Sequence, residues 1–409
     1  MIPSAMRRLV AVGGLFALAN GLSGLFTGVY LFRLRPGLET PATYALWQFL
    51  ALLAASPALG WLIKNRGAVL TYQIGIALHA GFYLALLFLQ EEAALHLEAL
   101  GAWMGLALGA WAMAGHVLVY DVIPEEKREL YFNQSGLVNS LAALVTPLLA
   151  GWTLTALPGL TGYRVIFVVS FVLFAASAAL SLGLSPMRPP APFRIGAVLP
   201  GRDPGWRRLL LAHGVLGLRD GITSFAINLL VYLTTGGEDR VGEFTFLTGA
   251  LGLVSYWVAG RLMHPGNREQ SFRLGAVGMA VATGVLAFGV SWPVLLTYGL
   301  LQAALSPIWL TSFSTASFSI IRRATGPEDL RVEMIAAREM PLNLGRVVAL
   351  LGFLALVRGA GEEQVLLLRW LLPCLGLPFP LAWLLMRSGG GDGRRFGLRW
   401  PVPLGRRRP

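Results

Sequence analysis

The residues of this sequence most able to take part in chemistry are ionisable side chains inside long apolar segments. Arg219 and Asp220 are adjacent and lie about ten residues into an apolar segment. Charged groups are costly in such surroundings and often mark ion or proton pathways. Two roles stay open for Asp220: it carries a proton, or it is the fixed ion-pair partner of Arg219 or Arg346.

A second group of polar residues falls on one face of a predicted helix. Glu339, Asn343 and Arg346 are spaced i, i+4 and i+7, so they share a helix face. This face could meet an anionic substrate or Asp220. Glu339 and its neighbour Arg338 lie near the end of the segment, where a gate or a loop salt bridge is the favoured role.

Enzyme, metal and cofactor chemistry have no support in the sequence. Cys374 is the single cysteine, which excludes an internal disulfide and a Cys-based metal site. No Walker loop, dinucleotide fingerprint or metal-ligand spacing is present. We therefore predict no enzyme activity, no cofactor and no bound metal. His79, His116 and His213 stand alone in apolar segments, where packing is the ordinary role and proton relay the alternative.

The composition is that of an integral membrane protein. Of 409 residues, 55% are hydrophobic and 13% are charged, which excludes an ordinary cytosolic enzyme and a disordered chain. Twelve apolar segments approach the length that spans a bilayer. They lie at residues 9–32, 43–63, 68–90, 99–120, 133–155, 163–184, 209–234, 243–262, 272–290, 293–321, 334–357 and 365–386.

Basic residues predict the orientation of these segments. Most of the 33 Lys and Arg residues fall in alternate gaps, namely those facing the cytoplasm if the N-terminus is cytoplasmic. We therefore expect a multi-pass protein of the cytoplasmic (inner) membrane with both termini inside. The net charge of +12 then reflects topology rather than a nucleic-acid partner.

An internal repeat divides the chain. Residues 18–24 match 218–224, residues 60–62 match 260–262, and residues 124–126 match 327–329, all at nearly one offset. The repeat predicts an all-α membrane fold of two parallel six-helix halves, residues 1–184 and 207–386. A cytoplasmic linker, 185–206, joins them, and a disordered basic cytoplasmic tail, 387–409, follows.

Over residues 1–386 this layout resembles bacterial transporters of the major facilitator superfamily (MFS), with no single characterised subgroup as its match. The resemblance rests on the six-plus-six arrangement and on a degraded form of the family's loop motif after helix 2. In the family this loop latches the halves and gates the transport cycle. Lys64 occupies the position of the family's acidic residue, so the usual charge latch lacks its acid. The residues assigned to this cytoplasmic gate loop and its second copy are Gly60, Lys64, Arg66, Gly67, Gly260 and Arg268.

The resemblance also implies a central cavity lined by helices 1, 4, 7 and 10. Asn20, His116, Gln302 and Asn343 are the cavity candidates, with interhelical hydrogen bonding as the alternative for Asn20. Residues 146–151 retain part of a pattern typical of antiporters, which favours export, although a proline kink with small-residue packing explains it equally well.

The predicted function is secondary active transport by alternating access, with proton-coupled export as one form. The abundance of Leu, Phe and Trp favours a small organic or amphipathic solute. A lipid flippase or scramblase on the same fold, or a receptor or scaffold without transport, are the alternatives. We expect a monomer whose partners are this solute and membrane lipid.

Overall fold

The computed structural model describes residues 4–123, 125–185, 192–198, 203–263, 267–324, 330–360 and 370–387. Within these ranges all regular structure is helical, and twelve helices are long and apolar enough to cross a membrane. In chain order they are α1 (Ser4–Leu34), α2 (Glu39–Arg66), α3 (Ala68–Leu89), α4 (Leu97–Val122), α5 (Glu125–Ala156), α6 (Thr161–Ser181), α7 (Pro204–Thr235), α8 (Glu238–Leu262), α9 (Arg268–Gly284), α10 (Trp292–Ala324), α11 (Arg331–Ala360) and α12 (Trp370–Arg387). The fold class predicted from the sequence is confirmed.

Several helices begin or end outside the apolar segments predicted from the sequence. A helix can extend into polar sequence as long as its backbone N–H and C=O groups form hydrogen bonds. Helix α5 begins at Glu125, well before the apolar stretch that starts at residue 133. Helix α7 begins at Pro204, inside the predicted linker, where the Asp203 side chain accepts a hydrogen bond from the Gly205 amide at 2.7 Å. Proline at the first helical position is pre-organised for this start. The start predicted for the twelfth segment, residue 365, and the predicted tail after residue 387 lie outside the described residues.

The linker is partly ordered against the bundle. Residues 192–198 contain a short 3₁₀ turn, Ile195–Ala197. The buried Trp206 indole donates to the Val198 carbonyl oxygen at 3.0 Å. We call the end of the bundle that carries this segment the linker end, and the other the opposite end.

The two halves pack with the same internal pattern. Helix α1 packs on α5 and α2 on α4, and in the second half α7 packs on α11 and α8 on α10. Across the halves the main contacts are α2 with α11 and α5 with α8. A rotation that exchanges the halves maps one of these contacts onto the other, as expected for parallel repeats.

Aromatic packing accounts for two of the isolated histidines. The His79 ring meets Phe16 edge-on, with centroids 4.8 Å apart, and its Nδ1 lies 2.7 Å from the Gly75 carbonyl oxygen. In the other half, His213 lies 5.1 Å from Phe313 and 2.8 Å from the Leu209 carbonyl oxygen. Both rings are buried and hydrogen-bonded to their own helix.

Candidate functional site

A cavity of about 270 Å³ lies among α1, α2, α3, α4 and α7, so both halves line it. It occupies the middle of the bundle and the part nearer the opposite end. Three side-chain amides line it: Asn20 and Gln48 from the first half and Asn228 from the second. Unpaired amides facing a cavity are available to a ligand. The structure shows no hydrogen bond from any of the three to another described residue.

Close backbone contact between α2 and α4 places Gln48 in this wall. A Cβ atom on Gly101 would overlap the Tyr44 carbonyl oxygen, and one on Gly105 would overlap that of Gln48. Glycine is therefore required where the two helices cross. Gly101 and Gly105 of α4 therefore hold one side of the cavity in place. The sequence analysis had given no role to Gln48.

The ion network behind the cavity joins α7 to α11. The Asp220 carboxylate accepts from Arg219 Nη1 at 3.0 Å and lies 3.4 Å from Arg346 Nη2. Arg346 also donates to Asn343 Oδ1 at 2.9 Å. The fully buried Asn343 donates in turn to the Glu339 carbonyl oxygen at 2.8 Å, so it orients Arg346 and does not line the cavity.

Glu339 lies on the same face of α11 as Asn343 and Arg346, but its ion-pair partner is a neighbour on its own helix. Its carboxylate pairs with the adjacent Arg338 at 2.9 Å instead of reaching Asp220. His116 of α4 is exposed and lies within electrostatic range of both Arg338 and Glu339. His116 therefore faces the space between the halves but does not line the 270 Å³ cavity.

Glycines bring α7 and α11 together at the network. A Cβ atom on Gly217 would overlap the Leu342 carbonyl oxygen, and one on Gly221 would lie 2.6 Å from that of Arg346. On α11, a Cβ atom on Gly345 would overlap the Gly214 carbonyl oxygen. This crossing sets the backbones of Asp220 and Arg346 close enough for their side chains to pair.

Aromatic rings support both arginines of the network. The Arg219 guanidinium lies 4.7 Å from the centre of the Phe379 ring in α12. The Arg346 guanidinium lies 4.8 Å from the Phe49 ring in α2. Such cation–π contacts partly replace hydration in an apolar environment. Because Phe49 also lines the cavity, it separates the cavity from Arg346.

An ion pair crosses the halves at the linker end. Lys64 Nζ of α2 lies 3.6 Å from Glu333 Oε2 of α11, and neither side chain is exposed. The other Glu333 oxygen accepts from the Arg194 backbone amide at 3.0 Å, so the linker joins the contact. The acid that the loop motif lacks is therefore present on another element: Lys64 is the basic partner, and Glu333 of α11 is the acid.

The rest of the gate loop contributes backbone geometry. Gly60 is buried, and a Cβ atom there would lie 2.6 Å from the Phe193 ring of the linker. Gly67 has φ of 99°, a conformation that favours glycine, and its amide closes α2 on the Ile63 carbonyl oxygen. Arg66 is exposed. In the second copy of the motif, Gly260 has open space around it and Arg268 is half-buried, while residues 264–266 lie outside the described ranges.

A second ion pair crosses the halves at the opposite end. Arg33 Nη1 of α1 lies 2.7 Å from Glu238 Oε1 of α8, and the Tyr163 hydroxyl donates to the same oxygen at 3.1 Å. Glu238 is buried, whereas the Arg33 side chain is 31% exposed. The sequence analysis missed this pair. The sequence contains one signal for it. The chain has only 21 acidic residues, so a glutamate at the start of a membrane-length helix, as Glu238 is, is a candidate for an ion pair.

In two other regions that the sequence analysis singled out, around Gln302 and in residues 146–151, the side chains make packing contacts between helices. Gln302, expected to line the cavity, instead donates to Thr283 Oγ1 at 2.8 Å and so ties α10 to α9. Helix α10 continues through Pro307. In residues 146–151, a Cβ atom on Gly151 would lie 2.7 Å from the Glu238 carbonyl oxygen, so this segment packs α5 against α8.

These features define a class of protein. Twelve membrane-length helices form two pseudo-symmetric halves, a cavity lies between them, and an ion pair joins them at each end. This is the architecture of a membrane transporter of the two-repeat kind. The sequence model of the Major Facilitator Superfamily matches residues 41–350, and the chain belongs to that family.

Relatives agree with this assignment. The chain is 31% identical over 386 residues to the "Uncharacterized protein YqgE" of Bacillus subtilis (strain 168), covering 93% of this chain and 88% of that protein. Its fold is similar to an inward-facing bacterial homologue of the iron transporter ferroportin, with a TM-score of 0.67, 18% identity, and coverage of 96% and 100%. It is equally similar to the human organic anion transporter MFSD10 (TETRAN), with a TM-score of 0.67, 17% identity, and coverage of 94% and 100%.

Proposed function

We propose that this protein is a secondary active transporter that moves a small organic solute across the cytoplasmic membrane by alternating access. The observation that carries the proposal is the cavity lined by unpaired amides from both halves, with an inter-half ion pair at each end. A solute held by Asn20, Gln48 and Asn228 contacts both halves at once. Its binding energy can therefore be coupled to their relative motion.

The two ion pairs act as alternate gates in this proposal. Opening the linker end separates Lys64 from Glu333, and opening the opposite end separates Arg33 from Glu238. With both pairs formed, as in this structure, the halves are joined at both ends. Rocking of one half against the other then breaks one pair while the second remains. By the positive-inside rule, the linker end faces the cytoplasm.

The donor set of the cavity supports an organic cargo. Of the two similar structures, one is a bacterial homologue of the iron transporter ferroportin and the other is the organic anion transporter MFSD10. In the present chain, the described lining offers amides, hydroxyls and the ring of His79, whose Nδ1 already contacts the Gly75 carbonyl oxygen. Amides and hydroxyls recognise polar organic groups, whereas transition metals favour imidazole, thiolate or carboxylate ligands.

Asp220 is the candidate for proton coupling. Its carboxylate holds Arg219 and Arg346, so a proton on Asp220 would weaken both contacts and alter the α7–α11 crossing. Direction of transport then depends on which gate opens with the proton bound. The packing of residues 146–151 at the α5–α8 contact is compatible with export.

The test has two stages. Purified protein is first screened for thermal stabilisation by sugars, amino acids, organic acids, amines and lipids. A ligand at about 100 Kd stabilises by roughly 2.7 kcal/mol. Each hit is then followed in proteoliposomes by counterflow, in which unlabelled solute inside drives uptake of labelled solute. Exchange supports the transporter, and binding without exchange indicates a receptor.

The coupling role of Asp220 is tested in the same vesicles. Asp220→Asn is expected to retain exchange but to lose accumulation on a proton gradient. Accumulation by the Asn variant at the wild-type level would exclude Asp220 as the carrier. Lipid scrambling by the vesicles in the absence of any solute would instead support the flippase alternative.

A further inference from the structure

We propose that the transported solute is an organic anion, and that its carboxylate or phosphate takes the place of Asp220 at Arg346. This inference rests on the transport function proposed above and names the class of its substrate. The anionic group would bind beside α11, while the polar body of the solute would occupy the amide-lined cavity.

The charge balance of the network between α7 and α11 is the first argument. Among the described residues, three guanidinium groups face two carboxylates there: Arg219, Arg338 and Arg346 against Asp220 and Glu339. The two gate pairs are each balanced within themselves. An uncompensated positive charge inside a membrane bundle is unfavourable, and a bound anion would compensate it.

The hydrogen-bonding capacity of the arginines is the second argument. The Nε atoms of Arg219, Arg338 and Arg346 are buried and donate to no described acceptor. A guanidinium donates in a planar fork that matches two oxygens of a carboxylate or phosphate. Arg346 holds Asp220 through a single contact of 3.4 Å, longer than the 3.0 Å contact of Arg219, so Arg346 is the arginine more readily released to a ligand.

The position of Phe49 is the third argument. Its ring lines the cavity on one side and lies under the Arg346 guanidinium on the other, at 4.8 Å. Ser224, another lining residue, is one helical turn from Asp220. A solute in the cavity therefore needs only a displacement of the Phe49 ring to bring an anionic group to Arg346.

The exchange has a defined balance. When a monoanion binds Arg346, its negative charge compensates the excess positive charge of the network, while Asp220 keeps its contact with Arg219. No covalent bond changes. The cavity of about 270 Å³ restricts the solute to a small molecule.

The test uses four probes that share a 4-hydroxyphenyl group: 4-hydroxybenzoate, 4-hydroxyphenyl phosphate, 4-hydroxybenzylamine and 4-hydroxybenzyl alcohol. Binding to the purified full-length protein is measured by equilibrium dialysis and thermal shift. We expect the carboxylate or the phosphate to bind at least tenfold more tightly than the amine and the alcohol, and the stronger of the two identifies the anionic group. Binding of the amine as tightly as the anions, or of no probe, would overturn the proposal.

Variants assign the binding to the network. Arg346→Gln should weaken anion binding at least tenfold, and Arg346→Lys should weaken it less. Asp220→Asn removes the carboxylate that competes for Arg346 and should tighten anion binding. Arg240→Gln alters an exposed arginine at the opposite end and is the matched control, with unchanged binding expected. Equal affinities in Arg346→Gln and wild type would refute the assignment.

Failure here is distinguishable from failure of the transport function. If a sugar or an amine undergoes counterflow while the anions do not bind, the protein is a transporter with another substrate class. If an anion binds through Arg346 without counterflow, the anion site stands and the transport function falls.

Discussion

The linker-end ion pair gives the sharpest prediction, because both of its charges are buried. Glu333→Gln removes the carboxylate charge but keeps a side-chain oxygen to accept the Arg194 amide. Lys64, which is buried, would then lose the negative charge that lies 3.6 Å from its Nζ. We expect the variant to favour the conformation in which this end is open and Lys64 regains water.

The magnitude follows from the geometry. Two unit charges 3.6 Å apart, the distance from Lys64 Nζ to Glu333 Oε2, interact by about 5 kcal/mol at an effective dielectric constant of about 20. Removing one partner of a buried pair typically costs about 3–5 kcal/mol. Since about 1.4 kcal/mol changes a population tenfold, the open population should rise by roughly 100-fold to several thousand-fold.

Cysteine alkylation measures this population. Ala336 is fully buried on α11, and its Cβ lies 3.4 Å from the Cβ position of Gly60 on α2. Ala336→Cys in a Cys374→Ala background should react with a maleimide only when the linker end opens. While the open state remains minor, the reaction rate is proportional to its population.

Two control variants distinguish opening of the linker end from general destabilisation of the fold. Lys64→Met with Glu333→Met removes both charges and should return the rate to within about tenfold of wild type, because a buried pair can often be replaced by apolar residues. Glu243→Gln breaks the exposed Arg240–Glu243 pair of α8 and should leave the rate unchanged. A Glu333→Gln rate less than about tenfold above wild type would refute the reasoning.

Three further substitutions test the opposite gate, the helix crossing and the cavity. Glu238→Gln should increase water access at the opposite end by less than Glu333→Gln does at the linker end, because Arg33 is 31% exposed; hydrogen exchange of the α8 N-terminus measures this. Gly217→Ala should lower the thermal midpoint through overlap with the Leu342 carbonyl, at a cost of about 1–3 kcal/mol. Asn228→Ala should weaken solute binding by up to about tenfold in equilibrium dialysis, by loss of one hydrogen bond.

The sequence predicts the fold because the relevant signals are long and periodic. Twelve apolar segments, the repeat and the spacing of basic residues each determine topology without knowledge of any contact. The network of Arg219, Asp220 and Arg346 was also foreseen as one of two alternatives. Charged residues in apolar segments are rare enough for their pairing to be predicted.

The remaining parts of the site depend on contacts that leave no local pattern. The family motif carries its acid within the loop, where this chain has Lys64, whereas the acid that pairs with Lys64 is Glu333 on a distant helix. Gln302 and Gln48 are both amides in apolar segments. Only the helix crossings determine that Gln302 binds Thr283 while Gln48 faces the cavity.

Reciprocal opening of the two ends is the central claim, and spin-label distances measure it directly. One pair of labels, at Asn65 and Gln270, reports the linker end, and another, at Glu92 and Ser291, reports the opposite end; all four positions are exposed. Glu333→Gln should lengthen the first distance and leave the second short, whereas Glu238→Gln should lengthen the second and leave the first short. Lengthening of both distances by either substitution, or of neither by both, would contradict alternating access in this protein.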